Sequence, residues 1–144
     1  MKITYRDTDF EVDPEINKSI YGLLKSDADD QKHDGIIGFY LSNRSKFFSN
    51  ELVDFLNTTG IDWTKDNEVF YYNVDDQIII EGWYDIVGKV LNNKIVSLYW
   101  GDDLYTTNVF FGNDLRHGIY SVFGDHDTFR FDFSIVFKKG AVLG

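Results

Sequence analysis

Histidine, cysteine and the carboxylates carry most proton transfer, metal binding and nucleophilic attack, and this chain uses them unevenly. It has three histidines (His33, His117 and His126), 19 aspartates against five glutamates, and no cysteine in 144 residues. Without cysteine there is no thiolate metal site, no thiol nucleophile and no disulfide framework. No Gly-rich phosphate loop, H-E-x-x-H pair or G-x-S-x-G elbow occurs. Asp27-Ala28-Asp29-Asp30 opens like a calcium loop, but the glycine and bidentate glutamate such a loop needs do not follow at their offsets. A solvated loop is the expectation there. His117 and His126 flank an expected strand of about five residues, which separates them by roughly 17 Å, too far to share a metal or a proton. Asp125-His126-Asp127 could hold one weak divalent ion or act as an isolated acid–base pair. With no supporting group in view, a solvated turn is the better reading. The sequence therefore predicts no catalytic residue, no metal and no cofactor, and favours a non-enzyme.

The aspartates are informative as a pattern. Aspartate is a turn and cap residue, whereas glutamate favours helix interiors, so the acid lies where the chain reverses. From Glu68 onward the sequence reads as about six strands: 68–74, 77–91, 94–100, 104–111, 119–123 and 128–138. If they form a simple up-and-down meander, alternate turns share one end of the sheet. Asp75-Asp76, Asp102-Asp103 and Asp125-His126-Asp127 would then gather at one end. The opposite end would receive Asn92-Asn93, suited to a type I′ hairpin, and the near-neutral loop 113–117. Turns two strands apart are roughly 10 Å from each other, too wide for one metal ion and suited to a ridge that meets a basic groove.

The elements that would carry this ridge are legible one by one. Ile3 to Val12 could hold one or two short strands. Asp13 reads as an N-cap with Pro14 at the first helical position, opening a helix over 14–25 whose stripe is Ile16, Ile20, Leu23 and Leu24. Ser26 to Asp34 reads as a polar loop, and Gly35 to Leu41 as a short apolar strand. Ser49 caps a second helix over 50–59 with Leu52, Val53 and Leu56 inward and Gly60 as its stop. Trp63 reads as a lid over the core edge. In the long strand from Gln77, apolar residues occupy both faces, which predicts a central position, with Gly82 and Gly88 permitting a bend. In the last strand Phe129, Phe131, Phe133, Ile135 and Phe137 share the core face. The expected fold is α+β: a curled, mainly antiparallel sheet that could approach a barrel, with two short helices. One domain spans 1–144, with a tail at 139–144.

The net charge of −10 disfavours direct contact with nucleic acid or an anionic membrane, because such surfaces repel it. The opening MKITYRDTDFEV lacks the basic and apolar stretches of a signal peptide, and no window approaches the ~18 apolar residues of a membrane helix. A cytoplasmic location is the expectation.

Two functional readings follow. A small, acidic, cysteine-free α+β domain without catalytic motifs resembles, in general character only, the inhibitors that neutralise basic enzymes. These are immunity proteins paired with bacterial toxins, nuclease inhibitors and phage-encoded anti-defence proteins. The resemblance implies a binding protein whose acidic turns meet a basic protein partner. The alternative is a small-ligand binder, or small enzyme, with a cavity walled by Tyr71, Trp83, Tyr84, Tyr99, Trp100 and Tyr105. Exposed edge strands also leave room for a homodimer.

Overall fold

The computed structural model describes residues 1–92, 96–114 and 121–140. Strands β1 (Lys2–Tyr5) and β2 (Thr8–Val12) form a hairpin. Its two loop residues, Arg6 and Asp7, both take positive φ (51° and 64°), as a type I′ turn requires. Helix α1 (Pro14–Leu23) starts where the sequence predicts, with the Asp13 carboxylate accepting from Ile16 N at 3.1 Å. Of the expected stripe Ile20 is buried and Ile16 and Leu24 pack partly buried against the core, while Leu23 is 77% exposed and Asn17 and Tyr21 complete the buried face. Asn17 can be buried because both of its side-chain polar atoms bond to backbone. Nδ2 donates to Thr59 O (2.8 Å) and Val87 O (3.3 Å), and Oδ1 accepts from Val87 N (2.8 Å).

Two local expectations fail. The polar loop contains a one-turn helix, α2 (Asp27–Asp30), capped by Ser26. The expected strand over 35–41 is part of a thirteen-residue helix, α3 (Gly35–Phe47). Isoleucines in a short apolar run look like strand, yet burial falls on Ile37, Tyr40, Arg44 and Phe47, a spacing of three and four that only a helix gives. The polar residues after Leu41 continue the helix on its outer side instead of ending a strand. Asp34 sets the start, accepting from Ile36 N (2.9 Å), Ile37 N (3.1 Å) and the Tyr71 hydroxyl (2.9 Å).

These bonds, that to Ile37 N foremost, hold the Asp34 carboxyl below its ordinary value of 3.8. A depressed folded-state pKa contributes stability above the unfolded value and loses it as pH falls through the folded value. Asp34→Ala is thus expected to cost about 1 kcal/mol at neutral pH, typical of a lost cap. The gap from the parent protein should narrow as pH falls from about 5 towards 2.5, and urea melts at both ends of that range read it.

Helix α4 (Asn50–Thr58) matches its expectation, with Ser49 accepting from Leu52 N at 3.2 Å and Gly60 at φ +90° past its end. Of its expected inward residues Leu52 and Leu56 are buried, and Phe55 joins them while Val53 is half-buried. Among the described residues the longest helix is α3, and no helix is long and apolar enough to cross a membrane.

The second half supplies β3 (Glu68–Val74), β4 (Gln77–Val90), β5 (Val96–Gly101), β6 (Tyr105–Asp114) and β7 (Thr128–Lys138). All seven strands form one antiparallel sheet in the order β1-β2-β4-β7-β6-β5, with β3 also on β4. The sheet is open; it does not close into a barrel. As the sequence predicts, β4 is central and shared. Along one edge it pairs with β3 over Gln77–Trp83 and with β2 over Gly88–Val90, and along the other with β7. The change of partner is made at Gly88, where φ is +149° and a Cβ would lie 2.1 Å from Glu11 O. Only glycine fits there.

Strand order departs from a meander in two ways. Strand β7 inserts between β4 and β6, so β4 and β5 are not neighbours and no hairpin joins them. Residues 119–120 and Asn93 lie outside the described residues, and Ser121–Phe123 forms a turn of 3-10 helix, not the end of a fifth strand. Residues 141–144 of the expected tail also lie outside them, while Lys139 N donates to Asp76 O at 2.8 Å.

The core lies between one sheet face and the helices. Phe129, Phe131, Phe133, Ile135 and Phe137 alternate inward as expected and are all buried. Phe133 meets Tyr40 and Phe48, Phe137 meets Phe39 and Phe47, and Phe111 meets Phe55. Gly82 leaves room for Phe133, whose Cζ would lie 2.5 Å from any Cβ there. Trp63 closes the core edge by meeting Phe48 edge-on at 5.9 Å.

Candidate interaction surface

The aspartate turns divide between the two ends of the sheet. Asp75-Asp76 joins β3 to β4 and Asp102-Asp103 joins β5 to β6. Gln77 faces Lys138 and Tyr105 faces Phe137, so both turns sit at the end where β7 finishes. Three strand spacings part them, about 14 Å. Lys138, exposed, and Lys139 lie between them along this end. Asp125-His126-Asp127 precedes β7, and Thr128 faces Val87 and Asp114, which is the opposite end. The loss of the fifth strand reverses the parity on which a six-aspartate ridge depended. At that far end Asp127 Oδ2 is 3.7 Å from Lys89 Nζ, and Gly88 N donates to Asp127 O at 3.0 Å. The structure brings four of the six aspartates to one end and puts the other two, with His126, at the far one.

The six aromatic residues expected to wall a cavity lie on opposite faces of the sheet. Tyr84 is completely buried among Phe48, Phe131 and Phe133, and its hydroxyl donates to Trp63 O at 2.5 Å. Burial pushes this phenol well above 10. Tyr71, Trp100 and Tyr105 pack partly buried on the same inner side. Tyr105 donates to Lys46 O at 2.8 Å. Register places Trp83 and Tyr99 on the other face. No one cavity can be lined by all six.

That other face holds the more informative arrangement. The helices pack on the inner side, and the outward residues are Phe70, Tyr72 and Val74 on β3, Ile79, Glu81 and Trp83 on β4, and Ser134 and Val136 on β7. Arg130 and Asp132 on β7, Thr106, Asn108 and Phe110 on β6, and Ser97 and Tyr99 on β5 also lie on it. Five strands make this face about 19 Å across. Exposure of large apolar residues concentrates here: Tyr99 71%, Tyr72 41%, Phe70 40% and Phe110 38%. Phe70, Tyr72 and Trp83 on one side and Tyr99 and Phe110 on the other flank a polar row of Glu81, Ser134 and Asn108, and exposed apolar patches of this kind mark interaction surfaces.

Its polar groups include the carboxylates of Glu81 and Asp132 beside Ser134, Asn108 and Thr106. Tyr72 donates to Glu81 Oε1 at 2.9 Å, and this bond raises the phenol above its ordinary 10.0. Phe70 meets Trp83 edge-on with centroids 6.4 Å apart. The Arg130 guanidinium lies 4.4 Å over the Trp83 ring, while its Nε is 3.2 Å from Oδ1 of the buried Asp85. Alternation within Glu68–Val74 held the signal for Phe70 and Tyr72, but sequence reading took from that strand only a turn and the inward Tyr71.

The buried charges elsewhere are structural. Asp66 accepts from Arg44 Nη2 (2.6 Å), Ser26 Oγ (2.9 Å) and Ala28 N (2.8 Å), and Arg44 Nη1 donates to Thr64 O (2.7 Å). The calcium-like Asp27 is also occupied: its Oδ2 accepts from Val69 N (2.8 Å) and Gln31 Nε2 (3.0 Å), and Gln31 Nε2 also donates to Val69 O (3.1 Å). Helix α2 thereby covers part of the free edge of β3, which blunts strand-to-strand association. Among the described residues no group of three or more histidines and carboxylates is placed to hold a metal ion. Compared with known protein families, curated proteins and solved structures, the chain matches none.

Proposed function

We propose that the protein is a non-enzymatic binding protein of the inhibitor or immunity type, and that it engages a basic protein such as a nuclease, toxin or defence enzyme. The observation that carries this reading is the helix-free sheet face. Its aromatic side chains stand exposed, Glu81 lies among them, and Asp75, Asp76, Asp102 and Asp103 line one end. A net charge of −10 draws a lysine- or arginine-lined surface towards such a face and speeds its encounter. Aromatic rings then supply contact area at low entropic cost.

Affinity capture from the native host tests the reading. A basic protein is expected to be retained at about 50 mM salt and released as ionic strength rises and screens the charges. The double reversal Asp102→Lys/Asp103→Lys should weaken that association more than about tenfold. Circular dichroism should stay that of the parent, since both residues are exposed. The melting temperature should fall by a few degrees, because the Asp102 carboxylate accepts from Leu104 N (2.8 Å) and Tyr105 N (3.3 Å) in the turn. Asp103→Lys alone leaves those bonds in place. Undiminished capture by the reversed protein would rule out the acidic end as a contact, and capture that survives high salt would rule out an electrostatic partner.

A further inference from the structure

The pairing of Arg130 with Trp83 and Asp85 shows how this sheet holds a guanidinium. An aromatic ring lies under its plane at 4.4 Å and a carboxylate two residues along the same strand face accepts from its Nε at 3.2 Å. Guanidinium suits this arrangement because it is planar, weakly hydrated and rich in in-plane donors, whereas an ammonium is a compact, strongly hydrated point charge. The same combination recurs one step along the outer face, with no guanidinium of the described residues in it. Glu81 lies directly opposite Phe70 on β3, and Tyr72 faces Ile79, the next outward residue of β4. Phe70 and Tyr72 are about two-fifths exposed. Glu81 accepts one hydrogen bond, from Tyr72, at 2.9 Å, and a carboxylate can accept several.

We infer that Phe70, Tyr72 and Glu81 form a subsite for an arginine side chain of the basic partner, and that this subsite selects arginine over lysine. The inference rests on the reading that the outer face meets a basic protein. Charge complementarity names the occupant's sign, and the rings beside the carboxylate name its shape. An arginine seated there lays its guanidinium on Phe70 or Tyr72 while donating to Glu81. A lysine satisfies the charge but stacks less well, because its ammonium is compact and strongly hydrated where the guanidinium is planar and weakly hydrated.

Deca-arginine and deca-lysine peptides are suitable probes, titrated into the whole chain by calorimetry at about 50 mM salt. The arginine peptide is expected to bind about three- to fivefold more tightly, the range a partly exposed cation–π contact supplies. Phe70→Thr/Tyr72→Thr should remove that preference and leave deca-lysine binding nearly unchanged. Glu81→Gln should weaken the arginine peptide more than the lysine peptide. Both threonine substitutions are at exposed strand positions, and an unchanged melting curve checks the fold. Equal affinity for the two peptides would overturn the subsite while leaving the acidic-partner reading in place. A preference that persists in the double variant would overturn its location. Failure of both peptides to bind would overturn both. A chain that sediments as a dimer, and becomes monomeric on Tyr72→Glu, would assign the face to a second copy and overturn the inference.

Discussion

Arg44→Ala is expected to cost about 3–5 kcal/mol of folding free energy, because it leaves a buried carboxylate without its counter-charge. Arg44 Nη2 lies 2.6 Å from Asp66 Oδ1, and both residues are buried. The guanidinium also holds Thr64 O, so its loss frees a second acceptor, and it lies over the Tyr40 ring at 5.2 Å. Urea denaturation of the two proteins reads the effect as a lowered midpoint. Replacing the pair together, Arg44→Met with Asp66→Leu, distinguishes charge from architecture. Many buried ion pairs can be exchanged for apolar residues at little cost. This one should not recover fully, because Asp66 also accepts from Ser26 Oγ and Ala28 N, and both donors would be left without an acceptor in a dry site. Full recovery would show that Asp66 contributes nothing beyond neutralising Arg44.

Phe111→Ala should lose about 3–5 kcal/mol, while Phe110→Ala, one residue away, should change stability by no more than about 0.5 kcal/mol. Phe111 is completely buried and touches Phe10, Phe55 and Phe131 at centroid distances of 5.3 Å each, so it ties the first hairpin and α4 to the sheet. Removing its ring leaves a cavity bounded by three elements that cannot collapse independently. Phe110 points to the outer face and is 38% exposed. The comparison also bears on function. A large loss for Phe110→Ala would mean that the outer face is already packed within the chain, and the proposed partner surface would have no free area to offer.

How far the sequence reaches is clearest at particular residues. Asp13 with Pro14, and Ser49, are each read correctly as helix starts, because a cap is satisfied by atoms two or three residues away. The alternation from Phe129 to Phe137 is equally local, since successive side chains on a strand must point to opposite faces. The long β4 could be placed centrally because both of its faces are apolar. Helix α3 was missed for a complementary reason. Ile36 and Ile37 suit either state, and the choice is made by Asp34 at one end and by burial of Tyr40, Arg44 and Phe47 against the rest of the fold.

The candidate site followed the same division. Which residues could take part was legible: aspartates in turns, aromatics in strands. Their assembly was not. The two turns at Asp75-Asp76 and Asp102-Asp103 share an end, as expected, but Asp125-His126-Asp127 does not, because Ser121–Phe123 forms a 3-10 turn where a strand was expected and β7 starts from the end at which β6 finishes. Trp83 and Tyr99 were named as walls of a cavity and stand instead on an outer surface.

By itself, the sequence determined an acidic α+β chain with antiparallel strands, its caps, its turns and the inward face of its last strand. Those features depend on torsions and hydrogen bonds within a few residues. Tertiary structure alone decided that β7 enters between β4 and β6, that the sheet stays open, and that the acidic turns part four to one end and two to the other. Strand order is set by which long-range pairing buries the most apolar surface, and no short-range signal encodes it.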